Sequence, residues 1–593
     1  MNILMALSQL EVTGAEVYAT TLGDELTARG HQVWYVSDTL TRLVKGTFIP
    51  LEFNKRSVPR RLWHVARLVW LIRKNKIQLV HAHSRASGWS ARVACWLTKT
   101  PMVTTVHGRQ PTHGSRKWFR AFGARAIAVC EAVRDQLVDV LGVPADQVVV
   151  IRNGIDPAAF PVNDVRLKHQ AGRPCVAIVG RLTGPKGELC HRMLSDVLDL
   201  STVEVRVVTG SVLSPAFENF ADRVTFVHDQ SAVAEEIAQA DLVIGAGRVA
   251  VEALFTGTPV FAVGETRQIG LVSLENLEAA MASNFGDVGG DELSMDFQKI
   301  KRELSSLLGG PNLLPPVSTE LRGRVLKAYG LEAVATRVEE VYQDAVVETL
   351  RREMPILMYH RVVEHPSEQG VHGTWTTVQM FEKHLRLIQR MGFETLTFKD
   401  LQDKGFMYRF SPGRKYLMIT ADDGYQDNLT RMLPLLKKYN MKATVYVVSG
   451  ETHNRWDVEH PTNPDVRVSL LSADEIRALD ASGHVEIGGH TLSHAKLDEL
   501  DAEAQAREIR ENKRAMECIL DHPILSFAYP FGYLNESAKT QAREAGYAYA
   551  VATDSGPRAM HQDRFQIRRI AVFPGTDVFG LWRKIRGDYV FRR

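Results

Sequence analysis

The sequence predicts an α/β protein with two doubly wound lobes followed by a third α/β domain. Short runs rich in valine and isoleucine alternate with helical patterns along the chain, and this alternation is typical of parallel sheets covered by helices on both faces. The 593 residues fit about four folding units, or fewer if one is a large barrel. We expect the lobes to span residues 1–165 and 166–350, and the third domain residues 355–593.

The elements of the first half follow one another in a regular order. A strand at Asn2–Ala6 precedes a helix that begins at Gly14, carries Tyr18 and Leu22 on its apolar face, and ends at Gly30. Two sets of strands, joined near Phe160–Ala171, predict the two lobes. The further strands are predicted at Gln32–Val36, Gln78–His81, Met102–Val106, Ala126–Val129, Val148–Ile151, Val176–Val179, Val203–Val208, Val224–Val227, Leu242–Ile244 and Val260–Ala262.

A new series of strands begins after the second lobe. A loop rich in glycine and proline at residues 309–316 and a boundary at Arg351–Pro355 separate the halves. The periodicity alone fits either an open sheet or a barrel. The strands of this series are predicted at Ile356–Tyr359, Tyr416–Thr420, Ala443–Val448, Val485–Gly488 and Ser526–Tyr529.

Composition excludes several classes of protein. An apolar content of 45% with 24% charged residues is typical of a globular protein and excludes a disordered chain. A formal net charge of +3 gives no reason to expect nucleic acid as a partner. The five cysteines form no C-x-x-C pair, and we expect them to be buried in a reducing compartment. The first basic residue is Arg29, and no apolar run is long enough for a membrane span. We therefore expect a cytoplasmic protein, at most peripheral on the inner face of a membrane.

Three polar or turn-forming clusters follow strands of the second half. His490 and His494 are the only two histidines four residues apart, and Asp422 and Asp423 are the only adjacent aspartates. Pro530-Phe531-Gly532 follows a third strand. In β/α barrels, catalytic groups collect at the carboxyl ends of the strands.

These residue types predict metal-assisted hydrolysis. Two histidines and one carboxylate can hold a divalent ion with open positions, which lowers the pKa of a bound water, and the second carboxylate can act as general base on that water. The alternative, exposed polar positions without a ligand, fits the histidine pair alone. It fits the three clusters together much less well.

The three motifs resemble those of the NodB-type polysaccharide deacetylases, carbohydrate esterase family 4. They are Thr-Ala-Asp-Asp-Gly, His-Thr-Leu-Ser-His and Ala-Tyr-Pro-Phe-Gly, in that order, after an opening Ile-Leu-Met-Tyr-His at residues 356–360. The resemblance implies a distorted β/α barrel that hydrolyses an N-acetyl group on an amino sugar. It implies these roles: Asp422 as general base, Asp423, His490 and His494 as ligands of zinc or a similar divalent ion, and Pro530 and Phe531 at the substrate.

The sequence departs from that family at two functional positions. Ala528 replaces an arginine, so we expect the base to lose a charged partner. Residues Ile567–Ile570 replace the leucine–histidine motif that supplies the acid. We therefore expect His360 to act as the general acid; the alternative is a hydrogen-bonded structural histidine.

The first half carries features that suit a phosphate group. Gly14 begins the first helix, whose N-terminus can bind an anion. A glycine-rich loop after the strand Val176–Val179 carries Arg181 and Lys186, which suit a diphosphate. It lacks the spacing of a Walker loop. Glu252, which follows another strand, can accept hydrogen bonds from both hydroxyls of a ribose.

With Val-His-Gly at 106–108 and Arg-Asn-Gly-Ile-Asp at 152–156, these features resemble glycosyltransferase family 4, of GT-B fold. The resemblance implies that Arg181 and Lys186 bind the nucleotide diphosphate, that Glu252 holds the ribose and that His107 contacts the transferred sugar. It implies a retaining reaction without a metal cofactor. Ile244 replaces the first glutamate of the Glu-x7-Glu motif, which leaves a non-catalytic binding lobe as an alternative.

A basic amphipathic segment at Lys55–Lys76 has two interpretations. It fits a peripheral contact with an anionic membrane, and it also fits a helix that covers a sheet and presents a solvated charged face, which we favour. The basic tail Arg583–Arg593 is interpreted in the same way.

Together, these features predict a bifunctional glycosyltransferase and N-deacetylase of cell-surface glycan synthesis. The expected donor is a nucleotide sugar such as UDP-N-acetylglucosamine, and the expected acceptor is a glycan or a lipid-linked glycan. Two alternatives stay open. One half can be a non-catalytic binding module, or the cleaved amide can be a formyl group or lie on a compound other than a sugar.

Overall fold

The computed structural model of the chain divides into two compact units, Met1–Ala345 and Val346–Arg593. The boundary expected at residue 165 and most of the loop at residues 309–316 lie outside the described residues, as do Arg592 and Arg593 of the basic tail. The described residues are 1–8, 14–55, 57–112, 119, 121–162, 173–229, 232–289, 295–309, 314, 317–350, 354–369, 372–403, 409–456, 467–557, 560 and 562–586.

The first lobe contains a parallel seven-stranded sheet in the order β3-β2-β1-β4-β5-β6-β7. This order reverses direction between β1 and β4, and such a switch point is where doubly wound sheets bind ligands. The strands are β1 Asn2–Ala6, β2 Gln32–Ser37, β3 Thr47–Pro50, β4 Leu79–Ala82, β5 Met102–Val106, β6 Arg125–Ala128 and β7 Val148–Val150.

The second lobe contains a six-stranded sheet in the order β10-β9-β8-β11-β12-β13. All neighbours are parallel except β13, which runs antiparallel to β12. The switch point lies between β8 and β11. The strands are β8 Cys175–Val179, β9 Glu204–Val208, β10 Val224–Val227, β11 Leu242–Gly245, β12 Val260–Val263 and β13 Gln268–Leu271.

Helices connect the strands of both lobes. The apolar face predicted for the first helix is present, with Tyr18, Leu22 and Leu26 buried. The helices are α1 Gly14–Ala28, α2 Val58–Lys74, α3 Arg85–Thr98, α4 Glu131–Asp135, α5 Gly184–Arg192, α6 Pro215–Glu218, α7 Val233–Gln239, α8 Arg248–Thr256, α9 Leu277–Ala282, α10 Phe297–Leu308, α11 Thr319–Tyr329 and α12 Leu331–Leu350.

The second unit is a distorted parallel barrel rather than an open sheet. Its strands run in the order β22-β21-β20-β19-β18-β14-β23, and β17 pairs with β18 outside this path. The last segment closes the ring because Ile567 bridges to Val551 of β22 while β23 pairs with β14. The strands are β14 Ile356–Tyr359, β15 Arg361–Val363, β16 Trp375–Thr377, β17 Phe393–Leu396, β18 Lys415–Ala421, β19 Ala443–Val447, β20 Val485–Gly489, β21 Ser526–Ala528, β22 Tyr549–Val551 and β23 Ile570–Ala571.

One hydrophobic core holds the barrel together. Leu357, Ile419, Val445, Ile487 and Phe527 come from five neighbouring strands and are buried in it. The helices of this unit are α13 Val378–Arg390, α14 Phe398–Gln402, α15 Leu433–Tyr439, α16 Ala473–Ala481, α17 Ala502–Leu520, α18 Glu536–Glu544 and α19 Val578–Arg586.

The predicted α/β class, with two Rossmann-like lobes followed by a distorted β/α barrel, is confirmed. One expectation is wrong: Cys518 is exposed on α17, whereas the other four cysteines are buried. Within the described residues, no helix combines the length and apolar character that crossing a bilayer requires.

Candidate functional site

Two carboxylates follow β18 at its carboxyl end. The N–H of Asp422 donates to the carbonyl oxygen of Tyr359, the last residue of β14, at 3.1 Å. Asp423 and Gly424 take φ values of 76° and 73°, in the left-handed region that residues other than glycine rarely occupy. That conformation costs free energy at Asp423 and is typical of a functional site.

The two histidines lie in a turn after β20. Positive φ values at Thr491 (64°) and His494 (59°) fold this turn back on itself. Nε2 of His490 and Nε2 of His494 consequently both lie 3.2 Å from Oδ1 of Asp423. The three residues are buried, and one ligand atom of each lies within 4.8 Å of the others. The structure thus brings together the three residues expected to ligate a metal.

These three side chains fit a divalent ion. Nδ1 of His490 lies 2.8 Å from the carbonyl oxygen of Ala528, so Nδ1 donates its proton there and the lone pair of Nε2 faces the site. Burial lowers the pKa of His494, although Asp423 opposes the shift, and this favours the neutral imidazole that binds metals. Oδ1 of Asp423 is buried and has no hydrogen-bond partner among the described residues. Two imidazoles and one carboxylate leave an open coordination position, as catalytic zinc sites do.

Side chains of helix α17 form hydrogen bonds with the backbone of the histidine turn. The carboxylate of Glu508 accepts from the N–H groups of Leu492 and Ser493, each at 2.9 Å. The side chain of Asn512 accepts from the N–H of His490 at 3.1 Å and donates to the carbonyl of Thr491 at 2.7 Å. Sequence reasoning missed both supporting residues, whose spacing of four places them on one face of the helix.

Trp456 also contacts the ligands and was not predicted. Its indole Nε1 donates to Oδ2 of Asp423 at 3.1 Å. Its ring stacks on His494, with centroids 4.0 Å apart and an angle of 11° between the planes. Trp456 therefore orients one ligand by a hydrogen bond and a second by packing.

The charged partner of Asp422 comes from an unexpected position. Nη1 and Nη2 of Arg569 donate to the two carboxylate oxygens of Asp422 at 2.6 and 2.7 Å, and Arg569 is fully buried. Burial alone would raise the pKa of Asp422, but the charge and hydrogen bonds of Arg569 outweigh it and lower the pKa. The expectation that Ala528 deprives the base of a charged partner is wrong, because the segment that closes the barrel carries Arg569 to the same carboxylate.

His360 lies beside the same carboxylate. It follows β14, and its Nε2 lies 4.0 Å from Oδ2 of Asp422. The side chain is 15% exposed. The structural alternative requires a hydrogen-bonded ring, and no hydrogen bond to this ring occurs within the described part of the chain. The position therefore suits a group that donates a proton to a substrate.

Pro530 and Phe531 form one wall of the site. Pro530 is buried, whereas Phe531, with a φ of 57°, is 38% exposed. The ring of Phe531 meets His494 edge to face, with centroids 4.6 Å apart. Phe531 thus presents an apolar surface beside His494.

A second candidate site lies between the two lobes of the first unit. A cavity of about 470 Å³ is lined by Gly14 of the first lobe and by Arg181, Lys186 and Glu252 of the second. These are the four residues predicted to bind the donor. The cavity lies beside β8 and β11, at the switch point of the second sheet, where α/β proteins bind nucleotides.

Two ion pairs form among the residues that line this cavity. Nζ of Lys186 lies 2.9 Å from Oδ2 of Asp287, and Nε of Arg248 lies 2.5 Å from Oε1 of Glu252. Burial raises the pKa of Glu252, and Arg248 only partly offsets this shift. Sequence reasoning missed Asp287 and Arg248. Ile244 lies in the cavity wall, so the position where the family motif has a glutamate is apolar here.

His107 is not among the residues that line this cavity, but it contacts α1, the helix whose Gly14 and Val17 line it. Its Nε2 is 3.3 Å from Nδ1 of His83, and its ring meets Tyr18 of α1 edge to face. Burial lowers the pKa of His107 to about 4 and that of His81 to about 3. His81, in β4, hydrogen-bonds to Tyr342 through Nδ1 and to Thr105 through Nε2. His107 is therefore a neutral histidine packed against Tyr18 and His83.

Known protein families match parts of each unit. Residues 12–159 match the family model for Glycosyltransferase Family 4, and residues 410–550 match the model for Polysaccharide deacetylase. YxkH of Bacillus subtilis, which carries the provisional name of polysaccharide deacetylase, is 28% identical over 253 residues, covering 41% of this chain and 80% of that protein.

Solved structures similar to each unit include two enzymes. The Streptococcus pyogenes deacetylase PplD is 22% identical with a TM-score of 0.33, covering 40% of this chain and 98% of its own. A glycosyltransferase from Rickettsia africae is 21% identical with a TM-score of 0.45, covering 58% of this chain and 98% of its own. On the evidence of the family models and of its own motifs, the chain resembles the family 4 glycosyltransferases in its first half and the polysaccharide deacetylases in its second.

Proposed function

We propose that the second unit is a metal-dependent deacetylase that hydrolyses an N-acetyl group on an amino sugar of a glycan. The observation that carries this proposal is the convergence of Asp423, His490 and His494 on one point beside a separate buried carboxylate, Asp422. A bound divalent ion, zinc or a similar one, supplies Lewis-acid polarisation of the amide carbonyl and of a water molecule.

The remaining residues would move protons. Asp422, kept ionised by Arg569, accepts a proton from the attacking water as its oxygen bonds to the acyl carbon. His360 then donates a proton to the nitrogen of the amine as the carbon–nitrogen bond breaks. The products are acetate and a free amino sugar, and Phe531 would pack against the bound substrate.

Replacement of His360 by alanine is expected to lower the rate of acetate release from N-acetylglucosamine oligosaccharides by about 10²–10⁴-fold, since the leaving amine then lacks its proton donor. Bound metal, measured by elemental analysis, should stay unchanged. With 4-nitrophenyl acetate the loss should be much smaller, because a nitrophenolate leaves without a proton.

His522→Ala is the matched control, because His522 belongs to the same unit and pairs with Asp480 before β21, at the opposite end of the strands. A loss of equal size with both substrates would remove His360 from the role of general acid.

We also propose that the first unit transfers a sugar from a nucleotide-sugar donor with retention of configuration. The cavity that unites Arg181, Lys186 and Glu252 with Gly14 supports this proposal. Arg181, Lys186 and the N-terminus of α5 would neutralise the departing diphosphate without a metal ion. Glu252 would accept hydrogen bonds from the ribose, and His107 would contact the transferred sugar.

Substitution of Lys186 by alanine should lower the release of UDP from UDP-N-acetylglucosamine by about 10²-fold, because one of the charges facing the leaving group is lost. Binding of UDP, measured by calorimetry, should weaken in the same variant. Lys327→Ala, which removes an exposed lysine of α11 in the same unit, is the control. Unchanged UDP binding in Lys186→Ala would contradict this assignment of the cavity.

The two activities would act on one product. An N-acetylhexosamine added by the first unit to a glycan or lipid-linked glycan would become the substrate of the second. A lipid-linked acceptor would place a cytoplasmic, peripheral protein at the inner face of a membrane. Ile244 in the cavity wall favours a second candidate, in which the first unit binds nucleotide sugar without transferring it. Mass spectrometry of the products, with each half inactivated in turn, distinguishes the two.

A further inference from the structure

Positive charge is concentrated in one part of the first lobe. Between Glu52 and Glu131 the sequence contains 78 residues without a single aspartate or glutamate, and 16 of them are lysine or arginine. The other 515 residues carry 56 basic and 69 acidic residues, so the small net charge of the chain conceals a strongly basic segment in an otherwise acidic protein. Helices α2 and α3 both lie within this segment.

The outer surface of these two helices is apolar as well as basic. Leu62, Trp63 and Trp70 of α2 and Trp96 and Leu97 of α3 are between 44% and 69% exposed. All the tryptophans that are exposed among the described residues lie on these two helices. Clustered exposure of this kind marks an interaction surface, whereas isolated exposed apolar residues are ordinary. The charged face expected for α2 is therefore interrupted by large apolar side chains. We call these five residues and the cations beside them the α2–α3 face.

An open groove runs along this face. It has a volume of about 680 Å³ and is lined by Leu62, Val69, Trp70 and Leu97, with Arg73 and Lys74 at its edge. The Nζ of Lys74 lies 4.5 Å from the centre of the Trp70 ring. In the described part of the chain no carboxylate pairs with Arg73 or Lys74. The groove thus combines an apolar floor with cations that have no counter-charge.

We propose that the α2–α3 face binds the surface of an anionic lipid bilayer, with its tryptophans and leucines at the level of the headgroups. Tryptophan is enriched at membrane interfaces, and basic residues around an apolar strip add attraction to anionic lipids. A nucleic acid or an acidic polysaccharide would use the charge but leave Leu62 and Leu97 in water. Two copies of this face would repel each other. The proposal does not depend on the chemistry proposed for either unit.

The test measures cosedimentation of the full chain with vesicles of phosphatidylcholine alone or with 30% phosphatidylglycerol. We expect binding to the anionic vesicles, a blue shift of tryptophan fluorescence, and little binding to the neutral ones. Arg73→Glu combined with Lys74→Glu should weaken the partition at least about 25-fold, since each of the two lost charges contributes about fivefold and the two new carboxylates add repulsion. Arg324→Glu combined with Lys327→Glu, on α11 of the same unit, should leave it nearly unchanged.

A second variant separates insertion from simple adsorption. Leu62→Ser, Trp70→Ser and Leu97→Ser together should reduce the fluorescence shift, to which Trp63 and Trp96 still contribute, and weaken binding at least tenfold without altering the charge. These are exposed positions, so the melting temperature should stay within a few degrees of wild type. No binding to anionic vesicles, equal loss in the α11 variant, or full binding by the serine variant would each overturn the proposal. So would self-association of the chain that the serine variant removes while vesicle binding persists.

Discussion

Replacing Asp423 by alanine is expected to abolish acetate release from N-acetylglucosamine oligosaccharides. It should also lower the zinc content of the full chain to less than one ion per molecule. Polarisation by the ion contributes several kcal/mol, so the rate should fall by about 10³-fold or more. Oδ1 of Asp423 is the atom that both histidine Nε2 atoms approach, and its loss leaves only two ligands. Acetate release and elemental analysis of the same preparation measure both effects.

Two companion variants separate metal binding from proton transfer. Asp422→Asn should retain zinc and lose activity, because it removes the proposed base and leaves the three ligands in place. Asp498→Ala, at an exposed position of the same unit, should resemble the wild type in both measurements. Chelation should remove the activity of the wild type, and added zinc should restore it. An Asp423→Ala protein that releases acetate at the normal rate would exclude the proposed hydrolysis.

Replacing Arg569 by methionine is expected to destabilise the protein and to shift its pH dependence. Arg569 and Asp422 are both buried, and removal of one partner of a buried ion pair costs about 3–5 kcal/mol because the other charge stays without compensation. Burial is then opposed only by the smaller effects of His360 and His490, so the pKa of Asp422 rises. The acid limb of the pH profile of kcat/KM should therefore move to higher pH. Denaturant unfolding and the pH profile measure the two effects.

The size of the stability effect depends on pH. In the wild type the pKa of Asp422 is lowered by folding, so the pair contributes stability above the unfolded pKa, and this contribution is lost as pH falls through the folded pKa. The difference between wild type and Arg569→Met should therefore be largest near neutral pH and should shrink in acid.

Arg569→Lys should recover part of the stability and of the pH profile, whereas Arg568→Met, at the adjacent position, should have little effect on either. A variant Arg569→Met whose acid limb does not move would show that Arg569 does not hold Asp422 in its ionised form.

The convergence of Asp423 and His490 could be predicted from the sequence because both lie just after the carboxyl end of a strand. Asp423 comes after β18 and His490 after β20, and the carboxyl ends of parallel strands lie at one end of a barrel. The predicted strands Asn2–Ala6, Met102–Val106 and Ile356–Tyr359 coincide with the observed ones, since their apolar runs have sharp polar or turn-forming limits.

The missed elements lack such a signal. The edge strand β3 and the antiparallel strand β13 are short and only partly buried, so tertiary pairing rather than local composition makes them strands. The strand β17 carries Glu394 and Thr395 at its centre. Strands of this kind have no long apolar run that periodicity could detect.

The supporting residues of the site depend on contacts across long stretches of chain. Arg569 reaches Asp422 across 147 positions, and only the closure of the barrel brings the two together. The hydrogen bonds that Glu508 and Asn512 share with the histidine turn depend on how α17 packs on β20. A motif identifies residues that lie together in one short stretch of the chain, and it contains no information about these distant partners.

The most direct test of the central claim is X-ray absorption spectroscopy at the zinc edge on the full chain loaded with one equivalent of zinc. The account predicts two imidazole nitrogens and one carboxylate oxygen among the ligands, at about 2.0–2.2 Å, and the loss of one imidazole in both His490→Ala and His494→Ala. A spectrum that contains sulfur ligands, or one that neither histidine substitution changes, would contradict it.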